Sequence, residues 1–179
     1  MMIVTIEKKS KYDGDMEKEL NGFKFALKAK GIKNSREILN KVLIDNGMVV
    51  CTDGSRLHLF LTHIDIESGL YEVISNKANQ IILGKTDFED NQFPAYEKVI
   101  PVPRWQSRIS CNGQDWPLFT EIYKNFTHDC VSFQTDFIHD AYMGNSEISL
   151  YKDMERNWSP LVMYDNDRRA AIVMPVKAN

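Results

Sequence analysis

Two turn dipeptides, Asn46-Gly47 and Asp53-Gly54, punctuate an otherwise apolar stretch and constrain this chain more than any other feature. Asn-Gly between extended, apolar segments is a strong tight-hairpin signal, because both residues tolerate the positive φ that such a turn needs. It joins VLID to MVVCTD, and Asp53-Gly54 then leads into the alternating RLHLFLTHI. Residues 37–45 read as a strand on this account, although Ile38, Leu39, Val42 and Leu43 would serve a helix equally well. The centre of the first half is therefore an antiparallel meander.

Other elements assemble around it. Residues 2–8 alternate as a strand, and Asp15 is placed to cap a helix over 16–30. On that helix Leu20, Phe23 and Leu27 form a core stripe, with Gly31 as the residue past its end. Residues 70–74 and 80–86 add two extended stretches. Pro94, Pro101 and Pro103 then mark 87–107 as a crossover. Beyond it the opening order returns: RISC as a strand, WPLFTEIYKNF as a helix, and CVSF as a strand. TDFIHDAY follows as a short helix capped by Thr135, then EISLYK as a strand and a closing hairpin around Asn166-Asp167. The expected fold is α+β, a single domain over 1–179. It has two half-units, 1–86 and 108–179, each a strand, a helix and then strands, with antiparallel sheets and pseudo-two-fold symmetry.

Composition narrows the function classes. With 43% apolar and 11% aromatic residues, the 179-residue chain can build a real core and is not a disordered one. No apolar run is long enough to cross a bilayer, and charges interrupt the start where a signal peptide would be apolar. Cys51, Cys111 and Cys130 lack the spacing of a disulfide framework, so the expected location is the reducing cytoplasm. The net charge is -3, yet residues 1–33 carry eight Lys against five acids. Such a chain repels nucleic acid in general but can accept it on one face, unless those lysines are simply a solvated helix surface.

Catalytic motifs are missing from the sequence: there is no G-x-S-x-G, H-E-x-x-H, P-loop or G-x-G-x-x-G. His58 and His63 fall on opposite faces of a strand, which argues against a shared metal. His128 and Cys130 could share a face, but nothing in the sequence places an orienting third group beside them. No catalytic residue, metal or cofactor is expected.

Three short stretches point elsewhere. The first runs Cys51-Thr52-Asp53-Gly54-Ser55-Arg56-Leu57 and the second Phe93-Pro94-Ala95-Tyr96-Glu97-Lys98-Val99-Ile100-Pro101. The third is Ile172-Val173-Met174-Pro175-Val176-Lys177. In this order they resemble the bacterial DNA polymerase III beta subunit, the sliding clamp. That family carries an A-T-D-G-H-R-L turn, an F-P-D-Y-x-x-V-x-P linker and a V-V-M-P-M-R-like final strand. Ser55 stands where the family has His, and Ala95 where it has Asp. The chain is also too short for three clamp domains. The resemblance therefore implies a composite of the start of the middle domain and the end of the C-terminal domain.

The same likeness implies a non-enzymatic protein that binds short apolar linear motifs of replication or repair partners. Its peptide-binding residues would be Leu39, Thr52, Gly54, Ser55, Arg56, Leu57, Pro94, Lys98, Val99, Pro160, Val173, Met174, Pro175 and Val176. Aliphatic strand edges suit Leu and Phe anchors, Met174 can repack around varied ligands, and Arg56 supplies a rim charge. Clamp helices face double-stranded DNA, a role that would fall here to Lys24, Lys28 and Lys30; the later helices are too poor in Lys and Arg to match. Two alternatives stay open: a true ring-forming homo-oligomer that encircles DNA, and a small enzyme using a Cys/His cleft. No membrane partner is expected.

Overall fold

The computed structural model describes residues 2–10, 12–87, 93–100, 105–110, 116–126, 131–142, 147–152, 158–165 and 168–177. The chain divides into two compact units. The first comprises Met1–Pro94 together with Asp167–Arg169, and the second Ala95–Asn166 with Ala170–Asn179.

The first unit follows the order strand, helix, meander. Strand β1 (Ile3–Glu7) leads to helix α1 (Gly14–Lys28), then β2 (Val42–Asp45), β3 (Met48–Thr52), β4 (Arg56–Leu61), β5 (Gly69–Lys77) and β6 (Gln80–Lys85). These pair antiparallel in the order β1-β6-β5-β2-β3-β4. The Asn46-Gly47 turn joins β2 to β3 with both residues at positive φ, 48° and 83°. Both expected hairpins are present. The segment 37–40 is instead a 3-10 turn rather than strand, and extended structure begins only at Val42.

Helix α1 lies on one face of this sheet. Its Leu20, Phe23 and Ala26 join Ile6, Val42, Ile44, Val49, Cys51, Phe60, Tyr71, Ile81 and Leu83 in one buried cluster. The helix approaches closely because residue 22 is glycine: a Cβ there would sit 2.2 Å from the Phe60 ring. The ring is also 5.9 Å from that of Phe23 in an edge-on arrangement. Asp13, not Asp15, caps the helix, accepting the Met16 amide at 3.3 Å. Gly31 does not terminate the helix with a left-handed residue. Its amide donates to the Leu39 carbonyl at 2.9 Å, and a Cβ would come within 2.8 Å of that oxygen.

The second unit contains β7 (Trp105–Ser110), α2 (Trp116–Phe126), β8 (Val131–Ser132), α3 (Thr135–Ala141), β9 (Glu147–Lys152), β10 (Leu161–Tyr164), β11 (Arg169–Val173, all but its first residue) and β12 (Val176–Lys177). Strands β11, β10, β9 and β7 pair antiparallel in that order, and β8 pairs with β12. Strand β7 opens at Trp105, inside the stretch expected as crossover. Thr135 is the first residue of α3 and not its cap; Gln134 holds the cap position without a side-chain bond. The core here uses Leu118, Ile122, Ile138, Ile148, Leu150, Leu161, Ile172 and Val173. The expected Asn166-Asp167 turn lies outside the described residues, as does the His128–Cys130 pair.

Among the described residues no helix is long and apolar enough to cross a membrane.

Candidate functional site

In the first unit, six of the residues expected to bind peptide gather at the β3–β4 turn. Thr52 Oγ1 donates to the Arg56 carbonyl at 2.6 Å and accepts the Gly54 amide at 3.0 Å. Asp53 closes the other side: its Oδ1 accepts the Ser55 and Arg56 amides at 2.9 and 3.1 Å. This is an Asx turn, in which the side chain satisfies amides that the reversal leaves unpaired. Gly54 sits at φ 96°, a conformation that costs a residue with a Cβ. The glycine also lies directly above Leu39, since a Cβ on it would be 3.8 Å from Leu39 Cδ1. Asn34 Nδ2 ties the loop beneath to the Asp53 carbonyl at 3.2 Å.

Roles divide by exposure. Leu39, Thr52 and Leu57 are buried and shape the turn from below, while Gly54 and Ser55 are exposed. Arg56 is not a free rim charge. Its Nε donates to Asp53 Oδ2 at 3.0 Å, and its side chain keeps only 12% exposure. Asp53 is therefore the residue that sequence reasoning left off the site. The D-G-S-R spacing carried the signal, because an Asp two residues before a turn amide is the usual Asx arrangement. Pro94 is half-buried at the end of this unit.

The second unit holds the other expected residues. Val173 is fully buried at the end of β11, opposite Leu161, and belongs to the core. Met174, Pro175 and Val176 follow it half-buried, with Val176 opposite Ser132 in the β8–β12 ladder. Pro160, just before β10, is half-buried as well. Lys98 and Val99 are exposed on a 3-10 turn over Tyr96–Val99.

The lysines of α1 are less free than their sequence positions imply. Lys24 Nζ donates to the Ala78 carbonyl in the β5–β6 turn, and Lys30 Nζ to the Gly31 carbonyl at 3.1 Å. Lys28 is half-buried in the last turn of the helix.

Cys51 and His58 are buried elsewhere in the first unit. Burial pushes the Cys51 thiol up to about 12, with Lys30 pulling weakly the other way. His58 is fully buried; its Nδ1 lies 2.8 Å from the Phe25 carbonyl and its ring stacks on Phe25 at 4.5 Å. His63 is exposed, so the two histidines share no site. Among the described residues no three His, Cys, Asp or Glu side chains group as a metal site would require.

The fold, a helix packed on an antiparallel meander followed by a second helix-and-sheet unit, is that of a DNA sliding clamp. No protein-family model matches the sequence, nor does any curated protein. Solved structures do match. The DNA polymerase III subunit beta of Pseudomonas aeruginosa superposes with a TM-score of 0.62 at 14% identity, over 99% of this chain and 67% of its own. The beta subunit of Thermotoga maritima gives 0.61 at 15% identity, over 100% of this chain and 66% of its own. The C. crescentus beta sliding clamp gives 0.63 at 12% identity, covering 99% and 66%. The chain thus spans about two thirds of the length of the clamps it resembles.

Proposed function

We propose that this chain is a clamp-like tether of the DNA replication or repair machinery, holding partner proteins by a short apolar linear motif. The observation that carries the reading is the clamp fold running through nearly the whole chain. The solved clamps supply a precedent for occupancy. The C. crescentus clamp has polyethylene glycol at a putative beta-motif tethering region, and a P. aeruginosa clamp is bound to griselimycin.

Each unit carries its own set of candidate motif-binding residues. In the first unit they are Gly54 and Ser55, supported by Leu39, Thr52, Arg56 and Leu57 and joined by Pro94. In the second they are Met174, Pro175 and Val176 with Pro160, Lys98 and Val99, while Val173 anchors their strand in the core. A few anchors in aliphatic walls give weak, exchangeable affinity, which suits a tether that changes partners. No step of chemistry is involved. Duplex DNA is the second partner we assign, through Lys24, Lys28 and Lys30; two of these already hold backbone carbonyls, so contact would be electrostatic and sequence-independent.

Titration with a fluorescent Gln-Leu-x-Leu-Phe peptide tests the reading. Saturable binding that Met174→Asp weakens by about tenfold or more supports it. No binding at several hundred micromolar, or binding indifferent to Met174→Asp, refutes it.

A further inference from the structure

Within the second unit, α2, β8 and α3 surround a cavity of about 580 Å³ that shares no residue with the peptide-binding set. Its walls are Phe119 and Ile122 from α2, Phe133 after β8, and Ile138 from α3. The local sequence explains the space. Helix α2 buries Leu118 and Ile122, one turn apart, in the core, which turns Phe119 and Tyr123 sideways rather than down. Helix α3 is short and offers Ile138, with Thr135 exposed at its start.

The cavity opens to solvent past the exposed Tyr123, Lys124 and Thr135, and its volume falls in the range of about 300–1,000 Å³ typical of small-molecule sites, which are apolar with a few polar groups. The lining residues that carry hydroxyls are Thr120, Tyr123, Ser132 and Thr135. Among the described residues the charged lining group is Lys124, and no carboxylate lines the cavity. Such a lining favours an apolar body with one anionic head over a cation or a polar solute. We propose that this cavity is a ligand site for a small apolar carboxylate of the medium-chain fatty-acid type, with its head group at Lys124.

The test is displacement of anilinonaphthalene sulfonate fluorescence from the full chain by decanoate, with decanol as the uncharged control. The expected result is saturable displacement by both. Lys124→Gln should weaken decanoate about threefold, the scale of one exposed ion pair, and leave decanol unchanged. Thr135→Trp, placed at an exposed position, should block the mouth and abolish displacement while circular dichroism stays native. Ile138→Phe fills the same space from inside and should do likewise. Absence of saturable displacement at millimolar decanoate overturns the proposal. So does displacement that survives both cavity variants, or that is lost instead in Met174→Asp, which would put the ligand on the peptide-binding residues.

Discussion

Arg168 Nη1 donates to Glu19 Oε1 at 2.9 Å, an ion pair between residues 149 positions apart within the first unit. Glu19 keeps only 7% of its side chain exposed, and it also accepts the Thr62 hydroxyl at 2.6 Å and the His63 amide at 3.3 Å. The Arg168 guanidinium lies 5.1 Å from the Phe60 ring centroid, and its Nη1 also donates to the Leu61 carbonyl at 3.0 Å. Breaking a buried pair from one side leaves an uncompensated charge, which costs about 3 kcal/mol. Arg168→Met should therefore destabilise the first unit by about that amount in urea unfolding. Adding Glu19→Gln should recover part of the loss, giving a clear coupling energy in the double-mutant cycle.

Gly22→Ala tests the closeness of α1 to the sheet. In an exposed helix the change would stabilise by about 1 kcal/mol. Here the new methyl meets the Phe60 ring, so the overpacking cost of about 1–3 kcal/mol prevails and the thermal midpoint falls. Gly22→Ala with Phe60→Leu should be closer to wild type than Gly22→Ala alone, because the shorter side chain vacates the contact.

Cys51 should be unreactive in the native protein. With its thiol pushed up to about 12 by burial, almost no thiolate exists near neutral pH, and no reagent reaches it. In a Cys111→Ser/Cys130→Ser background, modification at about pH 8 should track the unfolding transition in urea rather than run ahead of it. Labelling at the rate of a free thiol in native buffer would contradict this.

Lys41 gives a prediction in alkali. Burial alone would lower its ammonium pKa, but the carboxylates of Glu72 and Glu37 outweigh that and raise it above the ordinary 10.5. A cation whose folded pKa is raised contributes stability that is complete below the unfolded value and lost as pH climbs through the folded one. Urea midpoints should therefore drop above about pH 10.5 in the wild type, and Lys41→Met should flatten that drop.

Asp53 governs the candidate peptide-binding turn. Asp53→Ala removes the acceptor of two amides and the partner of Arg56, so peptide affinity should fall together with local protection from hydrogen exchange at Ser55 and Arg56. Asp53→Asn keeps the Asx acceptor and should retain most of the affinity. If the two variants bind alike, Asp53 does not position the turn.

The parts legible in the sequence are those written in local chemistry. Asn46-Gly47 and Asp53-Gly54 specify their hairpins through conformations few other pairs accept, and the Leu20/Phe23 stripe marks the buried face of α1. The clamp likeness was legible too, read from three short stretches in the family's order, although identity to the solved clamps is only 12–15%. What escaped depended on distant partners. The strand read over 37–45 fails at its start because the Leu39 carbonyl is taken by Gly31, which curls the chain into a 3-10 turn. Arg56 looked like a rim charge because the sequence does not reveal that Asp53 turns back onto it. The cavity beside α2 left no signal, since Phe119 and Ile138 lie in segments whose sequence says only that they are helices.

The first unit is discontinuous, and this bears on how the polypeptide acquires its structure during synthesis. Ninety-four residues emerge early, yet the guanidinium that neutralises Glu19 leaves the ribosome only after residue 168 has been added. Maturation of that unit is thus postponed until residue 168 has been made, and a nascent chain stalled before that point would display α1 over a carboxylate still waiting for its counter-ion.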